Sequence, residues 1–190
     1  MDRSRFAPDA GATAPFGLSP CLQSARSAPG PRARDLPLPL PASLVALLLV
    51  QALAPEQFFA GRTEGTGTVR VILSGSHGVR SHNRGRVERG GALVIDQVVE
   101  EEGAPARLRT WRLVRTGANT LAGTLTDADG PVTGELTGNV LHLRYRSSEG
   151  PAIEQWITLD PGGRSANNRM TFRRFGFGVA TLDEVIRRVD

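Results

Sequence analysis

Lysine is absent from this 190-residue chain: all 23 basic residues are arginine. Solvated surfaces accept either cation, so the bias reads as the mark of a GC-rich coding sequence of bacterial type. It excludes a phosphate loop of the GxxxxGK kind. It also lifts the sequence pI to 10.7, although the formal net charge is only +4. Cysteine occurs once, at Cys21, which excludes an internal disulfide and a thiolate metal site. Histidine is confined to His77, His82 and His142, none at helical i, i+4 spacing, so no metal site and no cofactor are expected. Aromatic residues make up 5% of the chain and do not interleave with the arginines as in a stacking platform. Nucleic acid is not an expected partner.

What is present divides in two. Residues 1–35 are rich in proline, alanine and arginine without apolar periodicity, a composition that cannot bury enough surface to offset ordering. Residues 36–54 carry an apolar run, broken from position 42 onward only by Ser43 and Gln51, and end in Ala52-Leu53-Ala54. Basic residues, an apolar stretch and a small-x-small site, in that order, describe a secretory signal peptide cut near Ala54. The run is short for a membrane span, and Pro37, Pro39 and Pro41 disfavour lengthening it. An uncleaved anchor and a buried core helix stay open as alternatives. The expected location is therefore periplasmic or otherwise exported, with membrane association through residues 36–54 if they are retained.

Residues 55–190 form the expected folded domain. Short alternating runs recur about every ten residues between glycine, asparagine, aspartate and proline, the pattern of strands joined by tight turns. The runs fall at 67–74, 79–88, 92–101, 106–116, 119–127, 131–138, 140–147, 152–159, 165–174 and 176–188, with a helical turn expected at 183–188. The connections are too short for parallel crossovers. An antiparallel meander of eight to ten strands hides its edges best by closing into an up-and-down barrel, with a sandwich as the alternative.

Several stretches resemble the DUF3833 family of bacterial envelope proteins. These are Phe58-Phe59-Ala60-Gly61 followed by Gly65 and Gly67, Arg109-Thr110-Trp111, the run from Gly123 through Gly138-Asn139 to Tyr145, and Asn168-Arg169-Met170 before Arg174-Phe175-Gly176-Phe177. The resemblance implies a lipocalin-like barrel and an envelope location, and it brings no established activity. Glu154-Gln155-Trp156 stands where the family usually shows an acidic pair before a tryptophan.

No catalytic motif is present. Gly75-Ser76-His77-Gly78 is not a nucleophile elbow and reads as a flexible turn. Glu100-Glu101-Glu102 reads as a solvated strand end, Asp129-Gly130 as turn chemistry, and Gly65-Thr66-Gly67 as a tight lead into the first strand. Arg80, His82, Arg84 and Arg86 share one side of a strand, read first as a solvated face and second as a patch for an anionic partner.

The informative residues are polar ones in phase with apolar ones. Arg109 shares a face with Trp111 and Leu113, and Asp127 follows Leu121 and Leu125. Gln155 lies between Ile153 and Ile157, and Asn168 precedes Met170 and Phe172. Turned inward, they make an apolar cavity with a few polar groups, suited to an acyl chain whose carboxylate meets Arg109. Trp111, Tyr145 and Trp156 are core residues first and ligand walls second. The competing reading is an Arg109–Asp127 pair stitching strand ends in a filled barrel. The expected function is non-catalytic binding of a hydrophobic, fatty-acid or lipid ligand in envelope lipid metabolism. The alternatives are an interaction domain docking a partner or membrane surface, and a barrel-mouth hydrolase or isomerase using Asp127 and Arg109.

Overall fold

The computed structural model describes residues 54–190. The disordered leader expected at 1–35, and the signal region apart from Ala54, lie outside the described residues. A short helix, α1 (Pro55–Phe59), precedes ten strands. These are β1 (Gly61–Val71), β2 (Gly75–Val87), β3 (Leu93–Glu101), β4 (Arg107–Arg115), β5 (Thr120–Leu125), β6 (Val132–Thr137), β7 (Val140–Arg146), β8 (Ala152–Leu159), β9 (Ser165–Arg174) and β10 (Phe177–Arg188). Each strand pairs antiparallel with its sequence neighbour, and β10 returns to pair with β1. The sheet is a closed up-and-down barrel, the first of the two architectures that the alternation and the short turns allow.

Closure leaves no strand edge unpaired, and period-two alternation separates inside from outside. In β6, Val132, Gly134 and Leu136 are buried while Thr133, Glu135 and Thr137 are exposed. β8 repeats the pattern with Ile153, Gln155, Ile157 and Leu159 inward.

The structure corrects three local expectations. The helical turn at 183–188 is strand: partners in β1 and β9 satisfy that backbone on both sides, and Leu182 and Ile186 keep the inward phase. The glycine-flanked Gly75-Ser76-His77-Gly78 is not a turn but the start of β2, paired with Val71 back to Thr68. The first strand begins earlier than expected, at Gly61, so Gly65 and Gly67 lie inside it.

The sequence pattern did not announce α1, which plugs one end of the barrel. Phe58 and Phe59 are buried and pack edge-to-face, with ring centroids 4.8 Å apart. Arg115 grips Glu56 through two nitrogens, at 2.7 and 3.1 Å. From β10, Arg188 Nη1 donates to the carbonyls of Gln57 and Phe58 at 2.6 and 3.0 Å, satisfying acceptors that so short a helix leaves free. The end opposite α1 carries the loops at 72–74, 102–106, 126–131, 147–151 and 175–176.

Candidate functional site in the barrel interior

A cavity of about 270 Å³ occupies the barrel. It runs from Phe59 on α1 to a mouth lined by Glu101, Arg107, Glu149 and Pro151. Its walls are aliphatic and aromatic, among them Val69, Ile95, Leu143, Ile153 and Met170. Polar side chains enter these walls in three groups.

The first group lies toward the mouth. Arg109, on β4, donates from Nε to Asp127 Oδ1 at 3.0 Å, and its guanidinium carbon lies 5.4 Å from the centroid of Trp111. Trp111 meets Tyr145 edge-to-face at 5.3 Å. The Tyr145 hydroxyl is buried without a hydrogen-bond partner. Burial raises its pKa above the ordinary 10.0, against the opposing pull of Arg109.

The second group is a relay across four strands. The indole nitrogen of Trp111 can only donate, and it reaches Gln97 Oε1 at 3.1 Å. That fixes the Gln97 amide, whose Nε2 donates to Asn83 Oδ1 at 2.8 Å. Asn83 Nδ2 in turn donates to Thr63 Oγ1 at 3.1 Å. One donor-only ring thus sets the orientation of every amide in the chain.

The third group centres on Glu184, only 7% exposed. Ser81 Oγ donates to its Oε1 at 2.5 Å and Asn168 Nδ2 to its Oε2 at 2.8 Å. Among the described residues no arginine or histidine forms an ion pair with it. The space it fills exists because Gly65 and Gly67 have no side chains: a Cβ on Gly65 would stand 1.9 Å from Glu184 Oε1. Beside this group, Asn168 Oδ1 and Gln155 Oε1 are buried acceptors with no donor.

Six of the seven residues singled out in the sequence line the cavity: Arg109, Trp111, Asp127, Tyr145, Gln155 and Asn168. The first four form one cluster, and the last two belong with Glu184. Trp156 is a correction. It stands on the outer face, half-buried and stacked on His142 at 4.6 Å, because β8 cannot turn both Gln155 and its neighbour inward. Sequence reasoning missed Glu184, Ser81, Asn83 and Gln97. Glu184 was legible, since it alternates with Leu182 and Ile186. Ser81 and Asn83 lay hidden in a strand whose inward positions are mostly polar or glycine.

The expected outer row of Arg80, His82, Arg84 and Arg86 is exposed, but acids flank it from both sides. Arg86 pairs with Asp96 at 2.6 Å, while His82 lies 3.5 Å from Glu64 and 3.9 Å from Glu100. Among the described residues no group of histidine, cysteine and carboxylate side chains could hold a metal ion. No helix among them is long and apolar enough to cross a membrane.

A family model described as "Protein of unknown function (DUF3833)" matches residues 50–188. No curated protein matches the chain. Among solved structures, an S-type phycobiliprotein lyase, CPES, from Guillardia theta is similar in fold. It has a TM-score of 0.58 at 8% identity, covering 71% of this chain and 90% of that one.

Proposed function

We propose, from the premise that this chain belongs to the DUF3833 family, that its barrel is a non-catalytic binder of a compact amphiphile. The observation that carries the reading is a central cavity bordered by residues with unpartnered polar atoms: Tyr145 Oη, Gln155 Oε1 and Asn168 Oδ1. A buried polar atom without a partner costs about 1–3 kcal/mol, and a ligand or water that supplies one recovers it.

The cavity's size favours a slim occupant. Ligand sites commonly span about 300–1,000 Å³, so about 270 Å³ suits a single acyl chain better than a two-chain lipid. Arg109 spends one nitrogen on Asp127 and keeps others to meet an anionic head near the mouth. With Arg109 toward the mouth and aliphatic walls beneath it, the arrangement favours tail-first binding. Gln155 and Asn168 favour a body that carries a hydroxyl or amide donor. Docking through the Arg80–Arg86 row has less support, because acids already interleave with it. Export accompanies the reading, supported by Ala52-Leu53-Ala54 immediately before α1.

Native mass spectrometry of the chain isolated from its own host tests the binding claim. One small amphiphile per chain is expected, displaced by a hydroxylated fatty acid and bound less by a Val79→Phe variant that fills the cavity wall. A bare mass, together with Trp111 fluorescence unmoved by plain or hydroxylated fatty acids, would sink it. For export, N-terminal sequencing of the envelope fraction should begin at or near Pro55. A full-length cytosolic chain refutes it.

A further inference from the structure

The two hairpin tips beside the cavity mouth display apolar side chains to water. Leu73 is fully exposed, Phe175 is 91% exposed, and Ile72 and Phe177 are mostly exposed beside them. The tips are neighbours, since Ile72 N–H donates to the Val179 carbonyl at 3.0 Å. Scattered exposed hydrophobics need no explanation, but four at adjacent tips form a patch.

The backbone adds an independent observation. Among the described residues, only Leu73 and Phe175 combine a side chain with positive φ, at 68° and 51°. Such turn positions ordinarily hold glycine, asparagine or aspartate. At Phe175-Gly176 a bulky ring occupies the place where a two-residue hairpin favours asparagine. Both tips therefore place a large apolar group where folding alone favours a small or polar one.

Within the tips themselves the charge has one sign, although Arg173 also stands 4.0 Å from Glu154 on the neighbouring strand. Residues 71–76 and 173–179 contain no acid, whereas Arg173 and Arg174 lie at the base of the second tip. The Arg174 guanidinium carbon stands 6.0 Å from the Phe175 ring centroid.

We propose that the hairpin tips carrying Ile72, Leu73, Phe175 and Phe177 insert into the interface of an anionic lipid bilayer, with Arg173 and Arg174 meeting its headgroups. A protruding apolar tip suits a fluid layer, which needs no preformed receptor, and the arginines complement acidic lipid. The tips rise at the end where the cavity opens, so docking would turn that mouth toward the bilayer. The inference does not depend on the cavity having a ligand.

The test uses the full chain with Cys21→Ser, so that one introduced cysteine takes an environment-sensitive fluorophore. Labels at Leu73→Cys and Phe175→Cys report the tips, and one at Ala118→Cys reports the opposite end. Vesicles are phosphatidylcholine alone or equimolar with phosphatidylglycerol, with or without a shallow spin-labelled lipid. The tip labels should shift to the blue and be quenched in anionic vesicles, while the label at position 118 does neither. The Leu73→Ser/Phe175→Ser double variant should keep its melting temperature and lose tip-dependent vesicle binding at least about tenfold, the change that about 1.4 kcal/mol produces. Neutralising Arg173 or Arg174 should each weaken the anionic preference about fivefold. Vesicle binding without quenching at either tip, as attachment through residues 36–54 alone would give, overturns the proposal. So does a lipid-free dimer in which the tip labels are already buried, since that outcome assigns the tips to a second copy.

Discussion

Glu184 and Gly65 compete for one volume: a Cβ on Gly65 would stand 1.9 Å from Glu184 Oε1 and 2.3 Å from Ser81 Oγ. The carboxyl group lies inside the barrel because β1 offers a gap, and two neutral donors meet it there. Gly65→Ala should therefore destabilise the barrel by about 1–3 kcal/mol, the usual cost of overpacking. In a Glu184→Ala background the same substitution should cost at least about 1 kcal/mol less, because the nearer of the two clashing groups is gone and Ser81 Oγ is freed to turn away. Urea unfolding of the four variants of this cycle measures the coupling. Additive costs would mean that Gly65 is needed for some other reason.

The buried Tyr145 hydroxyl gives the stability a sign at high pH. Burial raises its pKa above the ordinary 10.0, with Arg109 opposing, so the unfolded chain loses the proton first as pH rises. Stability on this account is constant below about pH 10 and falls above it. Tyr145→Phe keeps the edge-to-face packing on Trp111 and removes both the titration and an unpartnered hydroxyl. At neutral pH it should be neutral or stabilising by up to about 1 kcal/mol. Above pH 10 its advantage should grow. Chemical denaturation at pH 8 and pH 11 checks both statements, and an equal alkaline loss in the two proteins would assign the pH dependence to other groups.

Arg109 and Asp127 test the site more directly. The Arg109 side chain is 11% exposed and that of Asp127 32%, so truncating the arginine strands a partly solvated acid. Arg109→Met, which keeps much of the side-chain bulk, should cost about 1–3 kcal/mol of stability. It should also weaken binding of an acyl carboxylate at least about tenfold, the equivalent of a lost charge-assisted hydrogen bond. A fatty alcohol lacks the anion and should bind the variant and the parent equally. Isothermal titration with the acid and the alcohol separates these effects. Equal losses for both ligands would make Arg109 a structural residue only.

The architecture was legible because inside and outside alternate with period two in most strands. β8 and β9 appear with the boundaries their patterns give, and all four inward polar candidates, with Trp111 and Tyr145, line the cavity. What escaped has physical causes. β2 has glycine and polar residues at inward positions, so its first residues looked like a turn. Helix α1 has five residues, too few for periodicity to signal it, and tertiary contacts from Arg115 and Arg188 hold it. Trp156 was misassigned on residue type, although strict alternation with Gln155 already placed one of the two outside.

The floor formed by α1 should matter to stability and ligand retention together. Phe58 is 1% exposed, and truncating a buried phenylalanine commonly costs about 3–5 kcal/mol. Phe59 lines the cavity, so Phe59→Ala removes its closed end as well as core packing. Phe59→Leu keeps most of the packing and shortens the plug. The leucine variant should therefore remain folded with a modestly lower melting temperature, and it should accept a longer acyl chain than the parent protein. Binding measured across a series of chain lengths reads this directly. A preferred length that stays the same in Phe59→Leu would mean that the ligand stops short of the floor, nearer the belt formed by Glu184 and Asn168.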